Sequence, residues 1–225
     1  MKDLTIWITY HDPKQLEEYN LHEDETHRLF YGRDTAMEGE NINYLNEFYS
    51  ELVTLYWVWK NGVKSNRVGF CHYRRMFREV LDVGEGTCQA LAINHNCHVF
   101  LHYKTWHNYQ DFYDIVDILN EQYGVGNKYS RYMLESKTFV PFCSFVMRWE
   151  DFNRLCDFLF PILFAFDKRN GLDMTPQLYT EKAIRDFRYG DVMYQRRAIS
   201  FLAERVISCY LVCEMKVLCV SELQK

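Results

Sequence analysis

An α/β fold is what this sequence predicts, and three segments predict it. Leu4–Tyr10 is mostly apolar and rich in strand formers. Asn41–Trp59 carries Tyr44, Phe48, Leu52, Leu55, Tyr56 and Trp59 at intervals of three and four, the period of a helix face. Val68-Gly69-Phe70-Cys71 is a short apolar run that leads straight into His72-Tyr73-Arg74-Arg75. Strand, helix and strand in succession, followed by more of the same, favour one α/β domain over residues 1–225.

Composition narrows the function classes. The chain has 225 residues, long enough to bury a substantial core, and a formal net charge of -5. That acidic balance, with no basic tract, argues against a nucleic-acid partner. Aromatic residues reach 17%, which fits stacking surfaces and heavy core use equally. No apolar run is long enough to span a bilayer, and MKDLTIWITYHD lacks the pattern of a signal peptide. A cytoplasmic protein is expected. Cys71, Cys143, Cys156 and Cys209 lie inside apolar runs, as free buried thiols of a reducing compartment do.

The elements follow in order. His11-Asp12-Pro13 breaks the first strand. Residues 12–40 are polar, acidic and weakly periodic, and read as a long loop or flap with one helical turn. Asn41 or Asn43 caps the helix that follows, and Asn61-Gly62 stops it. Arg67–Cys71 is the second strand. Residues 79–96 give a mixed pattern around Gly84 and Gly86. Val99–Tyr103 reads as a short strand and Tyr109–Tyr123 as an amphipathic helix ending at Gly124. Lys137–Met147 reads as a strand region that Pro141 bends or confines to an edge. Trp149–Phe166 is a helix kinked or split at Pro161, and Gln195–Val212 is the last helix.

The candidate chemistry gathers at strand ends. In an open α/β sheet, groups at the carboxyl end of a strand point into the ligand crevice. His72, Arg74 and Arg75 there suit an anion, above all a phosphate. A buried strand that ends in solvated charges gives the same pattern. Asn41, Asn43 and the helix amino terminus could meet a phosphate or act only as caps. Glu204-Arg205 interrupts the apolar helix AISFLAERVISCYLV, so the two charges either pair or serve a site. His95, His98, His102 and His107 lack the spacing of a zinc site, and Cys209 with Cys213 reads as core packing. The chain has no G-x-G-x-x-G, P-loop or G-x-S-x-G.

Residues 41–61, NINYLNEFYSELVTLYWVWKN, and residues 68–77, VGFCHYRRMF, resemble a bacterial capsular and exopolysaccharide glycosyltransferase family catalogued as domain of unknown function 4422. The match runs ungapped through 41–77. The opening strand with Thr9-Tyr10-His11-Asp12, the pair Tyr103 and His107, Phe142–Arg148, and FLAER at 201–205 resemble further family blocks. Asn43 and Leu45 stand where the family has Ser and Lys, and Glu40 where it has Asp.

The resemblance implies a single GT-A-like domain, with a mixed, mostly parallel sheet flanked by helices. It implies that residues 41–77 form a helix–strand nucleotide-sugar unit. The implied reaction moves a sugar from a nucleoside diphosphate sugar to a hydroxyl of a growing surface glycan. Thr9, Tyr10 and His11 would lie near base and ribose, and Asn41 and Asn43 near ribose or phosphate. His72, Tyr73, Arg74 and Arg75 would hold the diphosphate. Glu204 is the expected base or stabiliser of the oxocarbenium-like centre, with His107 a second candidate base. Many related enzymes end this strand in Asp-x-Asp, which holds a metal. Here it ends in His72-Tyr73-Arg74, so Arg74 takes over the neutralising role and no metal ligand is assigned. Mn²⁺ or Mg²⁺ held by Asp12, Asp34 or Glu40 is the alternative. The expected acceptor is a glycan or lipid-linked glycan, with peripheral association at the inner face of the membrane. The alternative function is a non-catalytic nucleotide-sugar or carbohydrate-binding module derived from a transferase.

Overall fold

The computed structural model describes residues 2–62, 65–94, 96–220 and 223–224. Six strands build the main sheet: β1 (Lys2–Tyr10), β2 (His27–Tyr31), β3 (Ser65–His72), β4 (Thr87–Ala90), β5 (Phe145–Arg148) and β6 (Lys216–Cys219). Their spatial order is β2-β1-β3-β5-β4-β6. β1 runs parallel to β2 and β3, β5 antiparallel to β3 and β4, and β4 parallel to β6. The sheet is thus mixed and mostly parallel, with helices packed on it, as the sequence predicts. Register pairs Tyr10 with Tyr31 and Thr9 with His72, so three neighbouring parallel strands finish together.

Alternation along the strands divides the core. Trp7, Val68 and Phe70 join the large core built with helices Leu52–Asn61, Trp149–Arg169 and Ala198–Glu214. Ile6, Ile8 and Cys71 face a smaller cluster with Val83 and Val146. Between them Gly69 has no room for a side chain, since a Cβ would stand 2.9 Å from a Val146 methyl. No described helix is long and apolar enough to cross a membrane.

Several expectations need correction. Residues 12–40 hold the expected helical turn, at Lys14–Glu18, but also the strand β2, which was not expected. β2 is an edge strand with only Phe30 buried, so it shows no apolar alternation. β4 is four residues long and includes the buried Gln89, too little pattern to read. Val99–Lys104 is helix, not strand. Val99 and Tyr103, four apart, are buried, while Leu101 between them is exposed.

The other departures bear on the site. Asn41–Trp59 is not one helix. It divides into Asn43–Leu45, Asn46–Tyr49 and Leu52–Asn61, broken at Ser50 with φ +50°. Lys137–Met147 divides into Thr138–Phe139 and β5, with Phe142 and Cys143 both left-handed between them. Trp149–Arg169 is not split: Pro161 sits on its exposed face, where water can satisfy the carbonyl that loses its partner. The last helix begins at Ala198, after a separate turn at Val192–Gln195. Helices Lys128–Glu135 and Pro176–Arg185 were not expected.

Candidate functional site

A cleft of about 930 Å³ opens beside the end of β3, next to a smaller pocket of about 250 Å³ that reaches the end of β1. Glu51, His72, Arg74 and Arg197 line both. The wall between the two spaces is therefore one carboxylate, one imidazole and two guanidiniums.

Local backbone explains how these groups meet. β3 ends in a tight turn in which the Arg75 N–H donates to the His72 carbonyl (2.8 Å). That turn sets Arg74 and Arg75 on the cleft wall. The Arg75 guanidinium lies over the Phe142 ring at 3.8 Å, and that of Arg74 near the Tyr73 ring at 5.1 Å. At the helix break, the Ser50 hydroxyl accepts a hydrogen bond from Arg197 Nε (3.1 Å). The Asn46 amide donates to the Ser50 carbonyl (3.3 Å) and meets His11 Nδ1 (3.1 Å). The break turns Glu51 inward, where its Oε1 is 3.1 Å from His72 Nε2 and 3.6 Å from His11 Nε2. A non-glycine residue at positive φ is costly, and here it sits where Arg197 and Glu51 are positioned.

Burial alone would raise the Glu51 carboxyl, but the two imidazoles prevail and hold it well below the usual glutamate range. A carboxyl depressed in the folded state binds fewer protons than in the unfolded chain, so it stabilises at higher pH. Glu51→Gln should therefore lower stability by about 1–3 kcal/mol at neutral pH. The gap to wild type should narrow as pH falls below the ordinary value of 4.5. Urea unfolding at several pH values measures this; a gap that widens toward acid would contradict the assignment.

His11, Glu51 and His72 are also the group of described residues whose chemistry suits a divalent ion, with one ligand atom from each within 4.8 Å of the others. The hydrogen bonding opposes it. The Arg74 backbone N–H donates to His72 Nδ1 (3.2 Å), which leaves the imidazole proton on Nε2, the atom that would have to ligate. Asp12, Asp34 and Glu40 do not converge. Asp12 and Asp34 accept backbone N–H groups of Lys14 and Ala36, and Glu40 accepts the Tyr56 hydroxyl.

On the far wall of the cleft, Glu204 Oε1 accepts the Phe142 N–H at 2.5 Å. The left-handed turn at Phe142 and Cys143 makes that bond possible. Glu204 Oε2 meets the Arg205 guanidinium at 2.8 Å. Burial pushes the Glu204 carboxyl up, with Arg205 opposing. His107 also lines the cleft, but as part of an aromatic wall with Tyr103, Tyr194 and Phe201. Burial, then Arg205, pushes its imidazole down to about 3, which keeps it neutral and a weak base.

The structure therefore gathers His11, His72, Tyr73, Arg74, Arg75, Glu204 and His107 around two adjoining spaces. Four expected donor contacts lie off these walls. The Thr9 hydroxyl is buried against that of Thr54 (2.7 Å), and Tyr10 stacks on Tyr31. The Asn41 amide donates to the Met37 and Gly39 carbonyls, and the buried Asn43 amide to that of Asp34. His95 lies outside the described residues. Sequence reasoning missed Glu51, Asn46 and Arg197. Glu51 carried a usable signal: like Glu204, it is a charge set against an apolar helical run.

Cations just past a strand end thus face a half-buried carboxylate across the cleft, on a fold that is seen in a solved glycosyltransferase. The structure superposes on the apo structure of the bifunctional glycosyltransferase WbbM with a TM-score of 0.71 at 20% sequence identity. The likeness covers 99% of this chain and 45% of that one, so the chain spans less than half of that protein. By sequence, residues 15–95 and 90–215 match the family described as Domain of unknown function (DUF4422), and the chain belongs to that family. No curated protein sequence matches it.

Proposed function

We propose that the protein transfers a sugar from a nucleoside diphosphate sugar to a hydroxyl of a glycan acceptor, within surface polysaccharide synthesis. One observation carries the reading: a single cleft holds Arg74, Arg75 and Arg197 on one wall and the half-buried Glu204 carboxylate on another. The donor diphosphate lies along the wall shared by the two spaces, with the nucleoside toward His11 and Tyr73. The transferred sugar and the acceptor occupy the larger space.

As the bond from the sugar to the diphosphate breaks, negative charge grows on the departing phosphate oxygen. Arg74 and Arg197 stabilise that charge, and Arg197 is already oriented by Ser50. Glu204 takes the proton of the attacking hydroxyl, and its raised affinity for protons suits that task. Phe142 N–H and Arg205 hold its two oxygens in place. The aromatic wall of His107, Tyr194 and Phe201 packs against the sugar and excludes water. His72, whose Nε2–H is directed at Glu51, orders the turn that carries the arginines. No step of this reading is assigned to a metal; the arginines carry the neutralising role.

The test is incubation with UDP-, GDP- and dTDP-sugars, with and without glycan acceptors, reading nucleoside diphosphate release. One donor should be consumed, and faster with acceptor. Binding of a donor with no release under any condition would replace the transferase reading with a binding module.

A further inference from the structure

Three neighbouring parallel strands end beside the smaller pocket, and each delivers a side chain to it just past its last residue. β1 gives His11, β3 gives Arg74, and β2 gives Arg33. Ligands of open α/β sheets bind at such strand ends. The turn after β2 sets Arg33 in place. The Gly32 N–H donates to the Tyr10 carbonyl (2.9 Å), and the Asp34 N–H to the Tyr31 carbonyl (3.1 Å). Gly32 is buried against the pocket wall: a Cβ there would stand 2.5 Å from the Asn46 amide nitrogen and 3.2 Å from His11 Nδ1. Only glycine lets the backbone lie so close. The next residue, Arg33, therefore lines the pocket while its side chain stays exposed.

The pocket holds more cations than its carboxylates engage. Arg33, Arg74 and Arg197 line it, together with Glu47 and Glu51. Glu51 is met by the imidazoles of His72 and His11, and Glu47 lies 3.6 Å from the Arg196 guanidinium. Asp34, next to Arg33 in the chain, accepts the Ala36 N–H (3.0 Å). Among the described residues no hydrogen bond or ion pair engages the Arg33 side chain. At about 250 Å³ the space is smaller than the usual pocket for a whole ligand, and it opens along one wall into the larger cleft. It therefore suits the charged part of a longer molecule.

We propose that Arg33 is a diphosphate-binding residue, the outermost of three guanidiniums, and that it grips the phosphate next to the nucleoside. Arg74 and Arg197 stand on the wall shared with the cleft, and Arg75 lines only the cleft. Arg33 lines only the smaller pocket. Along a diphosphate laid on the shared wall, it thus stands at the end away from the transferred sugar. Its planar fork matches two phosphate oxygens at once, which an ammonium does not. The phosphate next to the nucleoside gains little charge as the sugar leaves. Arg33 therefore sets affinity for the donor, whereas Arg74 also stabilises the departing phosphate. Which phosphate Arg33 meets rests on the transferase reading; a diphosphate site at these strand ends does not.

The experiment is calorimetric titration of the full chain, in chelator, with inorganic pyrophosphate and with UDP-, GDP- and dTDP-sugars. Wild type should bind pyrophosphate and one sugar nucleotide. Arg33→Gln should weaken both about tenfold, the lower end for a hydrogen bond to a charged group, since Arg33 is exposed. Arg33→Lys keeps the charge but not the fork, and should bind like Arg33→Gln. Both variants should keep the wild-type melting temperature, because no other element leans on this side chain. A wild type that binds neither ligand, or Arg33→Lys with wild-type affinity, would overturn the proposal. So would Arg33→Gln that binds either ligand like wild type; if that ligand is a sugar nucleotide, the transferase reading still stands. Pyrophosphate binding that Arg33→Gln weakens, in a chain that takes up no sugar nucleotide, would sink the transferase reading and leave the diphosphate site standing.

Discussion

Glu204→Gln should cut sugar transfer by about 10²–10⁴-fold, the usual worth of a positioned acid or base, while donor binding stays near wild type. The substitution keeps size and leaves an amide oxygen to accept the Phe142 N–H, so the turn at Phe142 and Cys143 survives. What it removes is the proton acceptor. Because burial raises the Glu204 carboxyl, the acid limb of the wild-type rate profile should fall above the ordinary glutamate value of 4.5. Glu204→Gln should flatten that limb. If the variant loses stability but keeps its turnover per folded molecule, Glu204 is a charge partner of Arg205 and not the base.

Lys182→Met should destabilise the fold by about 3–5 kcal/mol, the cost of leaving a buried charge without its partner. Lys182 donates to Asp111 Oδ2 (2.7 Å) and Asp186 Oδ2 (2.6 Å), joining helix Pro176–Arg185 to helix Tyr109–Tyr123. Asp111 is almost fully buried, and burial pushes its carboxyl up to about 6 even with Lys182 opposing. Without the lysine the two carboxylates face each other in a dry site. Adding Asp111→Leu to Lys182→Met should recover much of the loss, since both buried partners are then apolar. Urea midpoints at constant m-value measure both variants. A single variant within 1 kcal/mol of wild type would show, on the scale of buried pairs, that the cluster is solvated.

The parts of the fold that were legible in the sequence are those with strong periodicity. β1, β3 and the helices Tyr109–Tyr123 and Trp149–Arg169 bury wide apolar faces, and their patterns show it. β2 and β4 were hidden because pairing places them, not pattern: one is an edge strand and the other spans four residues. The site was half legible. His72, Arg74 and Arg75 sit just past a conspicuous strand, and Glu204 breaks an apolar helix, so both stood out locally. Arg197 did not, because its role depends on a bond to Ser50, 147 residues away in the chain. Nor did Glu51, which reaches the site only because the helix expected over Asn41–Trp59 breaks at Ser50. Asn41 accepts the Asn43 N–H that opens the first turn (3.2 Å), as an expected cap does, while its amide and that of Asn43 hold the preceding loop.

The central claim, a diphosphate held by side-chain cations, is tested most directly by calorimetric titration with UDP-, GDP- and dTDP-sugars in the presence of a chelator. Wild type should bind one donor regardless of chelation. Arg74→Ala and Arg197→Ala should each weaken it by about 10–150-fold, the range for a hydrogen bond to a charged group. Binding that vanishes with the chelator and returns with Mn²⁺, and that neither arginine affects, would contradict the account.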